Sequence, residues 1–283
     1  MNKSLNLLQL SFVLLLTAIL ADVAPAQSDK KTDKKTDKKS MKTMKAEKAE
    51  ADPFEQISFN SKDGLEITAD LYWQHDDKTK PFIVLCHQAG WSRGEYREIA
   101  PALNELGFNC MAIDQRSGGK VNGIDNESTA RATKANKPVD YVDAEQDIIA
   151  AVEYARENYA AGKLILWGSS YSAALTLRVT GEHSDKIDGA LAFAPGEYFT
   201  RSGKPGNWIA TSAKKISCPV FITSAQNEKK NWAKIYAAIE SESKTSFLPK
   251  TKGNHGSRAL WAQFKDSKDY WSPVKTFLEN FTG

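Results

Sequence analysis

Residues 163–179 read Lys-Leu-Ile-Leu-Trp-Gly-Ser-Ser-Tyr-Ser-Ala-Ala-Leu-Thr-Leu-Arg-Val, and the reading of this stretch decides the reading of the rest. Leu164 to Trp167 is a short continuous apolar run, the pattern of a strand buried on both faces, and Tyr171 to Val179, rich in alanine and leucine, has the character of a helix. Between them lies Gly168-Ser169-Ser170-Tyr171-Ser172. On a tight turn from strand to helix a central serine has its hydroxyl lifted clear of the sheet, and small residues two places to either side let strand and helix approach closely. Gly168 and Ser172 occupy those places around Ser170. The plainer alternative is a serine-rich helix start in which Ser169 or Ser170 caps the helix. Only the surroundings can choose between the two.

Working outward, Ala144 to Tyr159 carries Ile148, Ala151, Val152, Tyr154 and Ala155 at the spacing of a helix packed on a sheet. Further upstream come an apolar strand, Phe82 to Cys86, an amphipathic helix from Tyr96 to Leu106 ending at Gly107, and a second apolar strand, Phe108 to Ile113. Phe54 to Asn60 and Leu65 to Trp73 alternate apolar with polar residues around Lys62-Asp63-Gly64, which predicts an antiparallel hairpin at one sheet edge. Val121 to Lys137 is polar and reads as loop. Downstream, Ile187 to Phe193, Val220 to Ser224 and Thr245 to Leu248 are strands. Glu228 to Ile239 is a helix, and helical segments lie around Leu260 to Phe264 and Val274 to Phe281. Strands alternating with helices predict an α/β fold: a mostly parallel central sheet with an antiparallel N-terminal edge and helices on both faces. Ligands then gather at the carboxyl ends of the strands. Only about twenty residues, Gly196 to Ile216, join two of those strands, which leaves room for a minimal cap and predicts an open site.

A serine hydroxyl is a weak nucleophile at neutral pH; it needs a base beside it, and the base needs a partner that fixes its tautomer. Two downstream segments offer these: Pro219-Val-Phe-Ile-Thr-Ser-Ala-Gln-Asn-Glu228, a strand ending near an acid, and Lys252-Gly-Asn-His255-Gly256. His75 lies in an early loop, and His183 follows the helix after Ser170, too far along it to meet the serine. His87, after a buried strand, reads as a structural hydrogen-bonding residue. Glu228 also has a bland reading, as a surface glutamate at a helix start where the macrodipole favours it.

Five segments in order resemble the α/β-hydrolase family. Gly168 to Ser172 resembles its Gly-x-Ser-x-Gly nucleophile elbow, with serine in place of the second glycine. His87-Gln88-Ala89-Gly90-Trp91 resembles its His-Gly-type segment, with Gln88 in place of the usual glycine, and Asp114-Gln115-Arg116-Ser117-Gly118-Gly119 looks like its Asp-x-Arg-Gly-x-Gly turn. Glu228 falls where an aspartate is usual, and the loop around His255 resembles its Gly-x-x-His or Gly-His-Gly loop. The resemblance covers roughly Phe54 to Gly283, and the short cap is most similar to dienelactone-hydrolase-type members, in which cysteine commonly stands at the position of Ser170. It implies Ser170 as nucleophile, Glu228 as acid with Glu197 as the other candidate, His255 as base, and the backbone N–H groups of Ala89 and Tyr171 as the oxyanion hole. Trp91, Tyr198, Phe199 and Trp208 are candidates to line the pocket. The implied activity is that of a serine hydrolase acting on an ester or related acyl bond of a small-molecule substrate, without metal or organic cofactor. A peptidase or acyltransferase would use the same triad, and a non-catalytic binding module of the cell envelope could keep the fold.

Near its start the chain carries a lysine, Lys3, then an apolar segment from Leu5 to Leu20 and Ala24-Pro25-Ala26, the pattern of a signal peptide over residues 1–26. Cleavage would leave no membrane span and a periplasmic or secreted protein. Residues 27–52 form a lysine-rich linker with nine lysines against six acids and no aromatic residue, a composition that cannot offset its ordering entropy. It reads as a disordered, solvated spacer, and the alternative is weak contact with anionic envelope polymers. Residues 53–283 form the expected domain, with 28 basic and 28 acidic residues. That balance gives no electrostatic case for nucleic-acid binding. The three cysteines, Cys86, Cys110 and Cys218, sit in or beside apolar runs and read as buried thiols, although export would permit one disulfide. No Cys/His cluster has zinc-site spacing.

Overall fold

A computed structural model describes residues 52–282, so the expected signal peptide and all but the last residue of the expected linker lie outside the described residues. The first two strands, β1 (Glu55–Asn60) and β2 (Glu66–Tyr72), pair antiparallel, as their alternating pattern requires. Then come β3 (Phe82–Cys86), α1 (Ile99–Glu105) and β4 (Asn109–Ile113), followed by a two-rung hairpin of β5 (Lys120–Val121) and β6 (Ile124–Asp125). After α2 (Glu127–Lys134) and α3 (Glu145–Asn158) the chain runs through β7 (Leu164–Ser169) into α4 (Tyr171–Glu182). It continues with β8 (Gly189–Phe193), α5 (Trp208–Ala213), β9 (Val220–Thr223), α6 (Lys229–Ala238), β10 (Lys244–Phe247) and α7 (Ser267–Leu278).

Eight of these strands form one sheet in the order β1-β2-β4-β3-β7-β8-β9-β10. From β4 to β10 every neighbouring pair is parallel, and β2 joins β4 antiparallel. The central strands are buried on both faces, which is why they read as unbroken apolar runs. Val84, Leu164 and Leu166 enter one core with α3 to α6, while Ile83, Leu85, Ile165 and Trp167 enter the other with α1 and α7. β3 pairs with β4 on one side and β7 on the other, so the order of strands reverses there and a crevice opens at their carboxyl ends.

One expectation is corrected: residues 127–134, read as loop, form α2. Asn126 caps it by accepting the Thr129 N–H at 2.8 Å, and its buried face consists of Ser128 and Ala132, too little apolar surface to leave a periodic signal. The helix expected from Tyr96 is divided into a single 3-10 turn, Arg93–Tyr96, and α1. Cys86, Cys110 and Cys218 are all free thiols.

Candidate active site

The turn from β7 to α4 is the tight elbow expected. Ser170 has φ 60° and ψ −118°, a conformation costly for a residue with a side chain and held here by its surroundings. Its N–H donates to Phe193 O of β8 at 2.7 Å. A Cβ on Gly168 would lie 2.4 Å from Ser172 O and 2.5 Å from Thr176 Oγ1, so strand and helix are too close for any other residue there. Ser172, in the place of the second glycine, accepts the Ser169 N–H at 3.0 Å and has its hydroxyl 2.7 Å from Cys86 O and 2.8 Å from His87 O. The substitution thus stitches the elbow to the end of β3.

Three groups from three separate loops meet at this elbow. His255 Nε2 lies 2.7 Å from Ser170 Oγ, and His255 Nδ1 lies 2.6 Å from Glu228 Oε1. With Nδ1–H donating to the carboxylate, Nε2 is left as an acceptor facing the hydroxyl, the tautomer a base requires. The acid comes from the 3-10 turn Gln226–Glu228 after β9 and the imidazole from the loop after β10. Side-chain exposures of 31% for His255 and 21% for Glu228 leave the chain of hydrogen bonds open to solvent on one side. Glu197, the other acid considered, is committed elsewhere: its two carboxylate oxygens accept the Ile209 and Ala210 N–H groups, both at 2.9 Å, at the start of α5.

Tyr171 is the first residue of α4, so its N–H has no intrahelical acceptor and lies at the positive end of the helix. Ala89 is partly exposed on the loop after β3. That loop is fixed by His87, fully buried, whose Nδ1–H donates to Gln88 O at 2.8 Å while Nε2 accepts from Asn126 Nδ2 at 3.1 Å. Burial lowers the His87 pKa to about 4, which keeps the ring neutral. The Asp114–Gly119 turn beside it is anchored by two buried ion pairs, Arg93 with Asp114 at 2.6 Å and Arg116 with Asp147 at 2.7 Å.

The aromatic candidates divide. Trp91 is partly exposed, stacks on Trp261 at 5.3 Å and carries the Arg258 guanidinium 5.9 Å above its ring. Tyr198 is 38% exposed and donates from its hydroxyl to Ala194 O at 2.7 Å. Phe199 is buried in the core against Trp208 at 5.3 Å, and Trp208 lies under Arg178 at 4.1 Å, two turns along α4 from the elbow. These two are packing residues rather than lining. Among the described residues no cluster of three or more His, Cys, Asp or Glu side chains is arranged to hold a metal ion.

Sequence reading misses Glu95. It is fully buried, accepts the Ser169 hydroxyl at 2.7 Å and the Gln88 N–H at 2.8 Å, and no cation pairs with it among the described residues. Nothing in Arg93-Gly94-Glu95-Tyr96-Arg97 distinguishes such a residue from a solvated turn.

The same arrangement of sheet and helices recurs in solved structures. An esterase from Pyrococcus furiosus superposes with a TM-score of 0.62 at 17% identity, over 81% of this chain and 93% of that one. A dienelactone hydrolase from Anabaena variabilis gives 0.61 at 11% identity, over 82% and 100%. The esterase domain of a Rhodothermus marinus protein gives 0.57 at 13% identity, over 81% and 99%. At these identities the likeness is one of fold. No curated protein sequence matches the chain. At the level of sequence, residues 77–231 match the family described as "Serine aminopeptidase, S33". The chain belongs to this α/β-hydrolase family.

Proposed function

We propose that the protein is an exported serine hydrolase that cleaves an ester or related acyl bond through Ser170, His255 and Glu228. The observation that carries this reading is the continuous hydrogen-bond chain from Ser170 Oγ through the imidazole to Glu228. Ser170 Oγ attacks the acyl carbon while His255 Nε2 takes its proton; the carbonyl π bond becomes an oxyanion. The N–H groups of Ala89 and Tyr171 receive that oxyanion, and each such donor is typically worth about 2.7–4 kcal/mol of transition-state stabilisation. Collapse of the tetrahedral species expels the leaving group, which takes the proton from His255, and leaves an acyl-serine. Water, deprotonated by the same imidazole, then releases the acid and regenerates Ser170. Glu228 holds the tautomer and stabilises the imidazolium.

The nearby carboxylates favour an ester over the substrate of an aminopeptidase, which must bind a free ammonium group. Glu228 is taken by His255, Glu197 by the α5 N–H groups, and Glu95 is buried. Export rests on the pattern of residues 1–26.

A fluorophosphonate probe on the purified protein, followed by peptide mapping and p-nitrophenyl ester assays, tests the reading without knowledge of the natural substrate. Stoichiometric labelling at Ser170 is expected, with turnover lowered about 10⁴-fold or more in Ser170→Ala and His255→Ala. A folded protein that neither labels nor turns over an ester would make the binding-module reading the better one.

A further inference from the structure

Glu95 stands where three chain segments of the site converge. Gln88, whose N–H it accepts, precedes Ala89 on the oxyanion loop. Ser169, whose hydroxyl it accepts, precedes Ser170. Ser169 Oγ in turn accepts the Ser257 N–H at 2.8 Å, two residues beyond His255. A Cβ on Gly256, between them, would come within 2.5 Å of Ser169 Oγ, so the approach is close from the histidine side as well. From behind, Trp261 Nε1–H donates to Glu95 O at 2.9 Å. The bonds of Gln88, Ser169 and Ser257 each fall one or two residues from an atom proposed to act in the reaction.

A carboxylate buried without a cation is costly, and polar packing alone does not call for a charge. We propose that Glu95 is a positioning residue whose ionised carboxylate clamps the oxyanion loop, the nucleophile elbow and the histidine loop in register, and whose protonation releases the clamp. This rests on the reading of Ser170 as nucleophile.

The chemistry of the clamp follows from its atom count. The ionised group offers two acceptor oxygens to two donors, Gln88 N–H and Ser169 O–H. A proton on Oε2 would set a donor against the Gln88 N–H, and a proton on Oε1 reverses the bond to Ser169 and takes the acceptor from the serine O–H. Burial pushes the Glu95 pKa up to about 7, opposed by its two hydrogen bonds and by His255 and Arg258, so the group changes state close to neutrality. The other titratable groups facing it are Tyr96 next in the chain and Tyr171 on α4, both pushed well above the usual phenol range by burial and therefore uncharged.

The test compares wild type with E95Q, which keeps the shape and removes the charge. Two measurements are made: p-nitrophenyl acetate hydrolysis from pH 5 to 9, and the His255 imidazole C–H resonance, assigned with His255→Asn, over the same range. For E95Q, kcat is expected to fall about 10- to 100-fold at pH 8 with KM within about threefold, the mark of misplaced groups rather than weakened binding. The acid limb of log kcat/KM should steepen toward a slope of about two in wild type, where both His255 and Glu95 must be deprotonated, and keep a slope of about one in E95Q. The His255 resonance should show a second inflection near 7 in wild type that is absent from E95Q. Wild-type kcat and an unchanged acid limb in E95Q would overturn the proposal. If E95Q fails to fold, E95D serves instead: it keeps the charge but not the reach, so the steep limb should persist at lower kcat, and a limb of slope one would overturn the clamp. Absence of turnover in wild type would defeat the hydrolase reading alone. The resonance then decides the clamp by itself, a single inflection counting against it.

Discussion

Two kinds of carboxylate lie beside the elbow, and they differ in what faces them. Asp147 is fully buried and bound by Arg116, itself fully buried, while Asp114 is bound by Arg93 and also accepts the Arg93 and Glu127 N–H groups. Burial pushes Asp114 up to about 6 against the pull of Arg93, which still leaves it ionised at neutral pH. Glu95 is just as buried but faces a hydroxyl and an amide, and Glu228 faces an imidazole that is charged only when protonated. The first kind forms a frame in which a guanidinium faces each carboxylate. The second kind faces no permanent cation; its partners are the uncharged and proton-exchanging groups around Ser170.

If that division holds, substitutions at the site change turnover before stability, and substitutions in the frame do the reverse. Glu228→Gln should lower kcat for p-nitrophenyl acetate about 10³-fold with the thermal midpoint nearly unchanged, since the amide cannot hold the same tautomer of His255. A loss of stability of similar size would place Glu228 in the frame. Arg116→Ala, which strands the buried Asp147, should cost about 3–5 kcal/mol in urea unfolding. A destabilisation under about 1 kcal/mol would mean that the Arg116 pair frames nothing.

A finer test uses pH. Native Glu95 keeps its proton up to about 7, whereas the unfolded chain loses it near the ordinary 4.5. The native state therefore holds the extra proton between those values, and the Glu95 contribution to stability falls as pH rises through that window. The stability of wild type relative to E95Q should decline by up to about 3 kcal/mol between pH 4.5 and 8 in paired urea titrations. A flat difference would show that Glu95 titrates alike in the folded and unfolded chain. The smallest effect is expected from Ser172→Ala, about 1–2 kcal/mol, because Ser169 N–H loses its acceptor while Ser170 keeps its own bond to β8. Turnover in Ser172→Ala should stay within about fivefold of wild type in the ester assay, the two strand-to-helix constraints at Gly168 and Ser170 remaining.

Much of this division is visible in the chain before folding, and some of it is not. β3, β7 and β9 announce themselves because strands covered on both faces need apolar residues at every position. Ser170, Glu228 and His255, which the structure brings together, are legible because each follows a strand in the order the proposed reaction would use. α2 is not legible, since it rests on the sheet through Ser128, whose hydroxyl accepts the Thr68 N–H at 2.9 Å, and through Ala132 rather than through an apolar stripe. Phe199 and Trp208 illustrate the converse, for aromatic residues in a loop carry no mark of whether they turn toward the crevice or into the core. Glu95 is hidden for a third reason. Its partners Ser169 and Trp261 lie 74 and 166 residues away in sequence, so no local window contains the cause.

Both residues that follow the strands β7 and β8 have positive φ, Ser170 at 60° and Ala194 at 59°. Ser170 N–H reaches Phe193 O at 2.7 Å, and Ala194 N–H reaches Thr223 O at 2.6 Å, so the parallel ladder runs one rung past the strand ends. In mechanical terms Ser170 is the tip of a cantilever braced sideways against its neighbour, which is braced against the next. The 2.7 Å between Ser170 Oγ and His255 Nε2 therefore spans two supports, the sheet on one side and the loop after β10 on the other.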